Sequence, residues 1–297
     1  MAFRIAYGAG HYLHEAGKRL PQCLDLAGTR EWTLNDRVAR YFAEAAAQYE
    51  GVELLRTDDP TGETSVKLQA RCDRANSFRA DFALSIHHNA GAKLTDAGGI
   101  VAYSYPGSKE GARYRDAIYD ACIAAGGIRG NRAEPKKTAG YHVLKYTHMP
   151  AVLMEYGFMD SVQDAPIILQ NAYAKVVAYA TMEGIAKVAG LQKRYTLEQF
   201  IRDVQKACGA SVNGIAGEET IGKTVTLSVY KNQRHPAVEA VQKRLAALGY
   251  GQVGIADGVA GPKFQAAVQA FQKDNRCWVD GEITAANKTW RKLLGME

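Results

Sequence analysis

The sequence predicts an α/β domain, a mostly parallel sheet flanked by helices, followed by a small all-α domain. Three observations lead there. Up to about Gly190, short apolar runs alternate with longer helical stretches, the pattern of a parallel sheet with helices on its faces. Past residue 195 those runs stop, and a unit of helix followed by an Asx-Gly turn recurs. Between the two, Gly190, Leu191, Gln192, Lys193 and Arg194 form a short polar connection. The expected domains are residues 1–190 and 195–297.

Taken in order, the first strand is expected over residues 4–7, running through Gly8 and Gly10 to His11. Helix 32–49 follows, with Thr29 as its N-cap and Leu34, Val38, Tyr41, Phe42 and Ala45 as its inward stripe. Strand 52–55, helix 64–78 and strand 82–86 come next, the last ending on His87. Strand 99–103, helix 109–125, strand 151–154 ending on Glu155, and helix 172–188 complete the domain. Beyond it, Gln205, Gln242 and Gln272 lead to Asn213-Gly214, Asp257-Gly258 and Asp280-Gly281 at spacings of 8, 15 and 8 residues. An Asx residue offers side-chain capping and the following glycine accepts positive φ, so each unit reads as a helix ended by a tight loop. Phe264, Ala267, Val268 and Phe271 form one helical stripe, as a small bundle requires.

Composition narrows the function classes. A chain of 297 residues, 47% hydrophobic and 23% charged, is globular rather than disordered or fibrous. Thirty-seven Lys and Arg against 31 Asp and Glu leave a net charge of +6, which favours an anionic partner. Nucleic acid is not the expected one, because no recognition-helix or stacking-platform motif is present. No apolar stretch is long enough to span a membrane, and Arg4 interrupts the only short apolar run near the start, so neither membrane insertion nor a secretory signal is expected. Cys23, Cys72, Cys122, Cys208 and Cys277 are odd in number, scattered and without CxxC spacing. They read as reduced thiols of a protein made in the cytoplasm.

Functional groups in open parallel sheets gather at the carboxyl ends of strands, where the loops reach a ligand. His11, His87 and Glu155 each follow a strand and share that rim. Glu31 lies three residues before Leu34 on the inward stripe of the first helix, and a carboxylate buried there needs a metal or a cation as partner. Two His and one Glu with an open fourth position is the ligand set of a catalytic zinc site, in which zinc lowers the pKa of a bound water to about 7. Glu155, apart from these three, is the candidate acid/base that moves protons between water and leaving nitrogen. The reaction class expected is amide hydrolysis.

Residues 1–190 resemble the zinc-dependent N-acetylmuramoyl-L-alanine amidases of amidase type 3. The matching segments are Gly10-His11, Glu31, Ser85-Ile86-His87-His88-Asn89-Ala90 and Met149 through Phe158, which contains Pro150-Ala151-Val152-Leu153 and Glu155. The resemblance implies His11, Glu31 and His87 as zinc ligands and Glu155 as catalytic acid/base. Many members carry a Gly-rich stretch after the first His; this chain has Tyr12-Leu13-His14-Glu15 instead. Residues 195–297 resemble the helical peptidoglycan-binding module through Val241-Gln242, Leu248-Gly249-Tyr250, Asp257-Gly258, Gly261-Pro262, Phe271-Gln272, Asp280-Gly281 and Thr289-Trp290. Together they imply a cell-wall lysin of phage-endolysin or autolysin type. It would act on bacterial peptidoglycan once the membrane is breached and cleave between N-acetylmuramic acid and L-alanine.

Competing readings stand beside these. Glu31 in a first helical turn also suits the helix dipole without any metal, and Glu155 could pair with an arginine. His88 points to the other side of its strand and is not an expected ligand. His14, His142 and His148 lack ligand spacing and read as groove or surface residues, with His142 nearest a substrate. Trp278 and Trp290 read as core or platform residues, and Lys136, Lys137 and Lys145 as a solvated face. The alternative functions are a zinc peptidase acting within the stem peptide and a non-catalytic wall-binding protein.

Overall fold

The computed structural model describes residues 2–297, which divide into two compact units, one ending at Lys193 and one spanning Arg194–Glu297. The first unit holds a six-stranded sheet. Its strands are β1 (Phe3–Ala9), β2 (Val52–Arg56), β3 (Phe82–Asn89), β4 (Ile100–Ser104), β5 (Lys136–Thr138) and β6 (Ala151–Phe158), in the spatial order β2-β1-β3-β6-β4-β5. Every neighbouring pair is parallel except β4 with β6.

Strand parity decides which residues build the core and which remain for chemistry. Ile5, Tyr7, Leu84, Ile86, Val152 and Met154 point to one face, where α1 (Glu31–Ala46), α3 (Lys109–Ala124) and α6 (Asn171–Ala189) cover them in the main core. The opposite parity places Gly8, Ser85, His87, Leu153 and Glu155 on the other face. On that face pack the short helices α2 (Leu68–Ser77) and α4 (His142–Tyr146), through Ala75, Ala83, Leu144 and Leu153, and a small cluster of Ala92, Val101 and Phe158. A cleft remains there, bordered by Gly8 in β1 and by Gly10 just past its end.

Several local expectations are corrected. Thr29 is not the N-cap of α1: its N–H is bound to Asp25 at 2.6 Å, and Arg30 precedes the helix without a side-chain cap. The expected helix 64–78 begins only at Leu68, because Lys67 is extended (ψ 146°). β5 and α4 carry too few apolar residues to announce themselves. Lys136 lies in β5 and pairs with Asp120 at 2.7 Å rather than joining a purely solvated face. All five cysteines are free.

The second unit comprises α7 (Leu197–Cys208), α8 (Glu218–Lys223), α9 (Pro236–Ala247), a 3₁₀ turn at Gly251–Val253, α10 (Pro262–Asp274) and α11 (Lys288–Leu293). Phe200, Val204, Val241, Phe264, Val268, Phe271 and Trp290 share one core, so the first repeat copy folds with the others. Repetition in sequence is repetition of a hydrogen-bond clamp. Gln205 donates to Asn213 Oδ1 (2.8 Å) and the Ile215 carbonyl (3.0 Å), while its own carbonyl accepts from Asn213 and Gly214 N–H. Gln242 does the same to Asp257, Val259 and Gly258, and Gln272 to Asp280, Glu282 and Gly281. The Asx side chains thus close their own turns and do not cap the helices, while Gly214, Gly258 and Gly281 take φ of 78°, 73° and 75°. Trp290 is fully buried, but Trp278 is 83% exposed, so the core reading fails for Trp278: it follows the end of α10 on a turn outside the packed stripe.

Candidate active site

Three neighbouring strands deliver the site. β1 ends at Ala9 and hands the chain through Gly10 to His11; β3 carries His87 and β6 carries Glu155, which face one another in the parallel register. Both strands run two or three residues beyond these positions, to Asn89 and Phe158, with a register irregularity between His87 and Asn89. Glu31, the first residue of α1, is buried to 1% exposure and enters from the side.

His11, Glu31 and His87 each offer a ligand atom, all within 4.8 Å of one another. His11 Nε2 lies 3.3 Å from Glu31 Oε2, and His87 Nδ1 lies 3.2 Å from Glu31 Oε1. The far nitrogens are held as well, His11 Nδ1 by Glu15 (3.2 Å) and His87 Nε2 by the Ser85 hydroxyl (3.1 Å), so each ring is turned toward Glu31. The rings stand at 90° with centroids 5.1 Å apart. Glu31 Oε2 is buried and meets only the long approaches of His11 Nε2 and of Lys18 Nζ at 3.6 Å, which leaves it short of a close hydrogen-bond partner and able to accept a cation. The set of donors, two imidazoles and a carboxylate, fits zinc.

Electrostatics follow from this packing. Burial opposes ionisation of Glu31, but hydrogen bonds and charge from His11 and His87 outweigh it and hold the carboxyl well below its usual range. Burial pushes the His87 pKa down, toward the neutral form a metal ligand needs, with Glu31 pulling the other way. Glu155 moves in the opposite direction to Glu31. Burial and then the Glu31 charge raise its pKa well above normal, partly offset by Lys18. Glu155 Oε2 also lacks a hydrogen-bond partner, and among the described residues no arginine pairs with it. Two carboxylates in one cleft are therefore driven apart in protonation, which is the usual condition for one to bind and the other to shuttle protons.

A cavity of ≈550 Å³ opens over these groups. Its walls include Lys18, Lys67, Arg71, Tyr141 and His142, the last bonded to Gln69 at 3.0 Å. His88 is buried on the opposite parity with Nδ1 2.8 Å from Asn35 Oδ1, and burial lowers its pKa to about 3. His14 and His148 do not line the cavity. Residue-level reading missed Asn35, Lys18 and Arg71. Asn35 was reachable, since it stands four residues after Glu31 on the same helical face and bonds Glu31 Oε1 at 3.3 Å. Lys18 (3.6 Å from Glu31) and Arg71 arrive from loop and helix placements that no spacing announces.

Residues 5–187 match a family described as N-acetylmuramoyl-L-alanine amidase, and residues 234–293 a putative peptidoglycan binding domain. The chain is 37% identical over 188 residues to the N-acetylmuramoyl-L-alanine amidase CwlM of Bacillus licheniformis, spanning 62% of this chain and 70% of that protein. It is 33% identical to a sporulation-specific N-acetylmuramoyl-L-alanine amidase of Bacillus subtilis (56% and 62% of the two lengths). Against an endolysin of Bacillus phage SPP1 it is 31% identical (50% and 54%). In fold the first unit is similar to an N-acetylmuramoyl-L-alanine amidase from Clostridium difficile 630. The TM-score is 0.57 at 21% identity, over 64% of this chain and 97% of that one. Among the described residues no helix is long and apolar enough to cross a membrane. The chain belongs to the N-acetylmuramoyl-L-alanine amidase family, whose members act on peptidoglycan, and it carries a peptidoglycan-binding domain behind the catalytic unit.

Proposed function

We propose that this chain is a zinc-dependent amidase that hydrolyses the bond between the lactyl group of N-acetylmuramic acid and L-alanine of the stem peptide. One observation carries the reading: His11, Glu31 and His87 converge within 4.8 Å in a cleft also lined by Glu155, the register neighbour of His87, whose carboxyl has an unpartnered oxygen. His11, Glu31 and His87 would hold the metal, which when bound supplies Lewis acidity toward a carbonyl oxygen and acidifies water. Glu15 and Ser85 fix the imidazole orientations. Glu155 accepts a proton from the attacking water and delivers it to the departing nitrogen. Lys18 and the wall formed by exposed Tyr141 and half-buried His142 bound the space a substrate occupies.

The C-terminal unit holds the enzyme on the wall, and the family description of residues 234–293 supports that assignment. A relative named as an endolysin supports reading the chain as a lytic enzyme that reaches the wall after membrane breach; active protein in the medium of intact, non-lysing cells would refute this setting. The bond cleaved is tested by mass spectrometry of digested sacculi. New amino-terminal L-alanine is expected; any other new terminus would make the chain a stem-peptide peptidase, and no new terminus at all, with or without added zinc, would leave a wall-binding protein.

A further inference from the structure

His11 sits in a backbone conformation that residues with a side chain rarely adopt, at φ 65°. Something must hold it there. Three successive carbonyls around it are each taken by a side chain. Arg71 donates through Nη1 to the Ala9 carbonyl and through Nη2 to the His11 carbonyl (2.7 Å), and Asn35 donates to the Gly10 carbonyl between them (3.1 Å). Arg71 reaches this position from α2, anchored by Nε on the Val66 carbonyl at 3.0 Å. Among the described residues it forms no ion pair, so a half-buried guanidinium is spent wholly on backbone oxygens. The rigid planar fork of arginine spans two carbonyls at once, which a lysine ammonium on a flexible stem does less well. Gly10 has no freedom to relax on its own, since its N–H is bound to the Ile86 carbonyl (2.8 Å) and a Cβ there would lie 2.1 Å from His87 Cε1.

We infer that Arg71 is a positioning residue: by bracketing Gly10 it keeps His11 in the left-handed conformation and so sets the spacing of the His11, Glu31 and His87 donors. This rests on the reading of those three residues as a zinc site. Arg71 offers no ligand atom and donates only to backbone carbonyls, so its effect is expected in the affinity for metal as well as in turnover. Groups that orient metal ligands typically change affinity by about 10–100-fold when removed.

The experiment measures zinc affinity of the full chain by competition with a chromogenic chelator, together with the melting temperature of zinc-depleted protein. Wild type is expected to bind one zinc. Arg71→Lys is expected to bind it about 10–100-fold more weakly, and Arg71→Ala to regain affinity when guanidinium chloride, but not methylammonium chloride, is added at tens of millimolar. Arg74→Lys serves as the comparison. That arginine lies on the same helix, does not line the cavity and donates to the Thr57 carbonyl at 2.8 Å rather than to the segment around His11, so its loss reports general weakening of α2. Zinc affinity of Arg71→Lys within twofold of wild type, or an equal loss in Arg74→Lys, overturns the inference. Failure of wild type to bind zinc overturns the site reading itself and is seen before any variant is compared.

Discussion

Glu155 and His87 occupy facing register positions on the adjacent strands β6 and β3, yet the first is driven toward its protonated form and the second toward its neutral one. Burial does both, because it penalises whichever form carries charge. For Glu155 the shift is upward, so the stability it contributes is present below the usual carboxyl range and is lost as pH rises through its folded pKa. Glu155→Gln imitates the protonated state at every pH. Zinc-depleted Glu155→Gln is therefore expected to melt several degrees above wild type at pH 8, with the gap closing near pH 4, since about 1 kcal/mol moves a unit of this size by about 2–4 °C. Parallel melts of the two proteins across pH check this, and a gap that does not vary with pH would refute it.

The same substitution should silence the enzyme without emptying it. Glu155→Gln is expected to retain about one zinc and to lose activity by about 100-fold or more, as removal of a general acid/base does. Metal analysis beside a sacculus-clearing assay decides it; loss of zinc would move Glu155 into the ligand shell.

Zinc removal by chelation should abolish clearing and added zinc restore it. Glu31→Gln and His87→Ala are each expected to weaken zinc binding by more than about 100-fold, because a ligand counts for more than a group that merely orients one. Chelator competition measures the loss. Either variant holding zinc like wild type would exclude that residue as a ligand.

Gly10 faces the His87 ring so closely that a methyl group cannot fit beside it. Gly10→Ala must displace His87 or the β1 end, and zinc affinity is expected to fall by about 10-fold or more. Gly222→Ala, on α8 with open space around it, is expected to be neutral or to stabilise by about 0.5–1 kcal/mol. Melting curves and zinc titrations of the pair separate crowding at the site from a general intolerance of alanine.

In the C-terminal unit, burial sorts two tryptophans that look alike in sequence. Trp290→Ala, which empties a fully buried indole site and frees the Val225 carbonyl it binds at 2.9 Å, is expected to cost about 3–5 kcal/mol. Trp278→Ala should change stability by less than about 0.5 kcal/mol. Gln272→Ala lies between, at about 2–4 kcal/mol, because it leaves the Gly281 N–H and the Glu282 carbonyl without their partner. Urea unfolding of the three variants ranks them.

The sequence by itself determined the fold class, the delivery of His87 and Glu155 by two strands, though not their position inside those strands rather than at the ends, the inward stripe that carries Glu31, and the threefold Gln and Asx-Gly repeat. These are properties of period and order: alternation along a strand and a 3.6-residue helical turn are written in neighbouring residues. It did not determine why the repeat recurs, which became visible once each glutamine was seen clamping its own turn. Nor could it reveal Arg71 and Lys18, which enter the cleft from distant segments, or the left-handed backbone at His11, which carries no glycine to mark it. The opposed protonation of Glu31 and Glu155 was equally hidden. Both are glutamates next to apolar runs, and only tertiary packing placed two imidazoles around one and left the other buried without a partner.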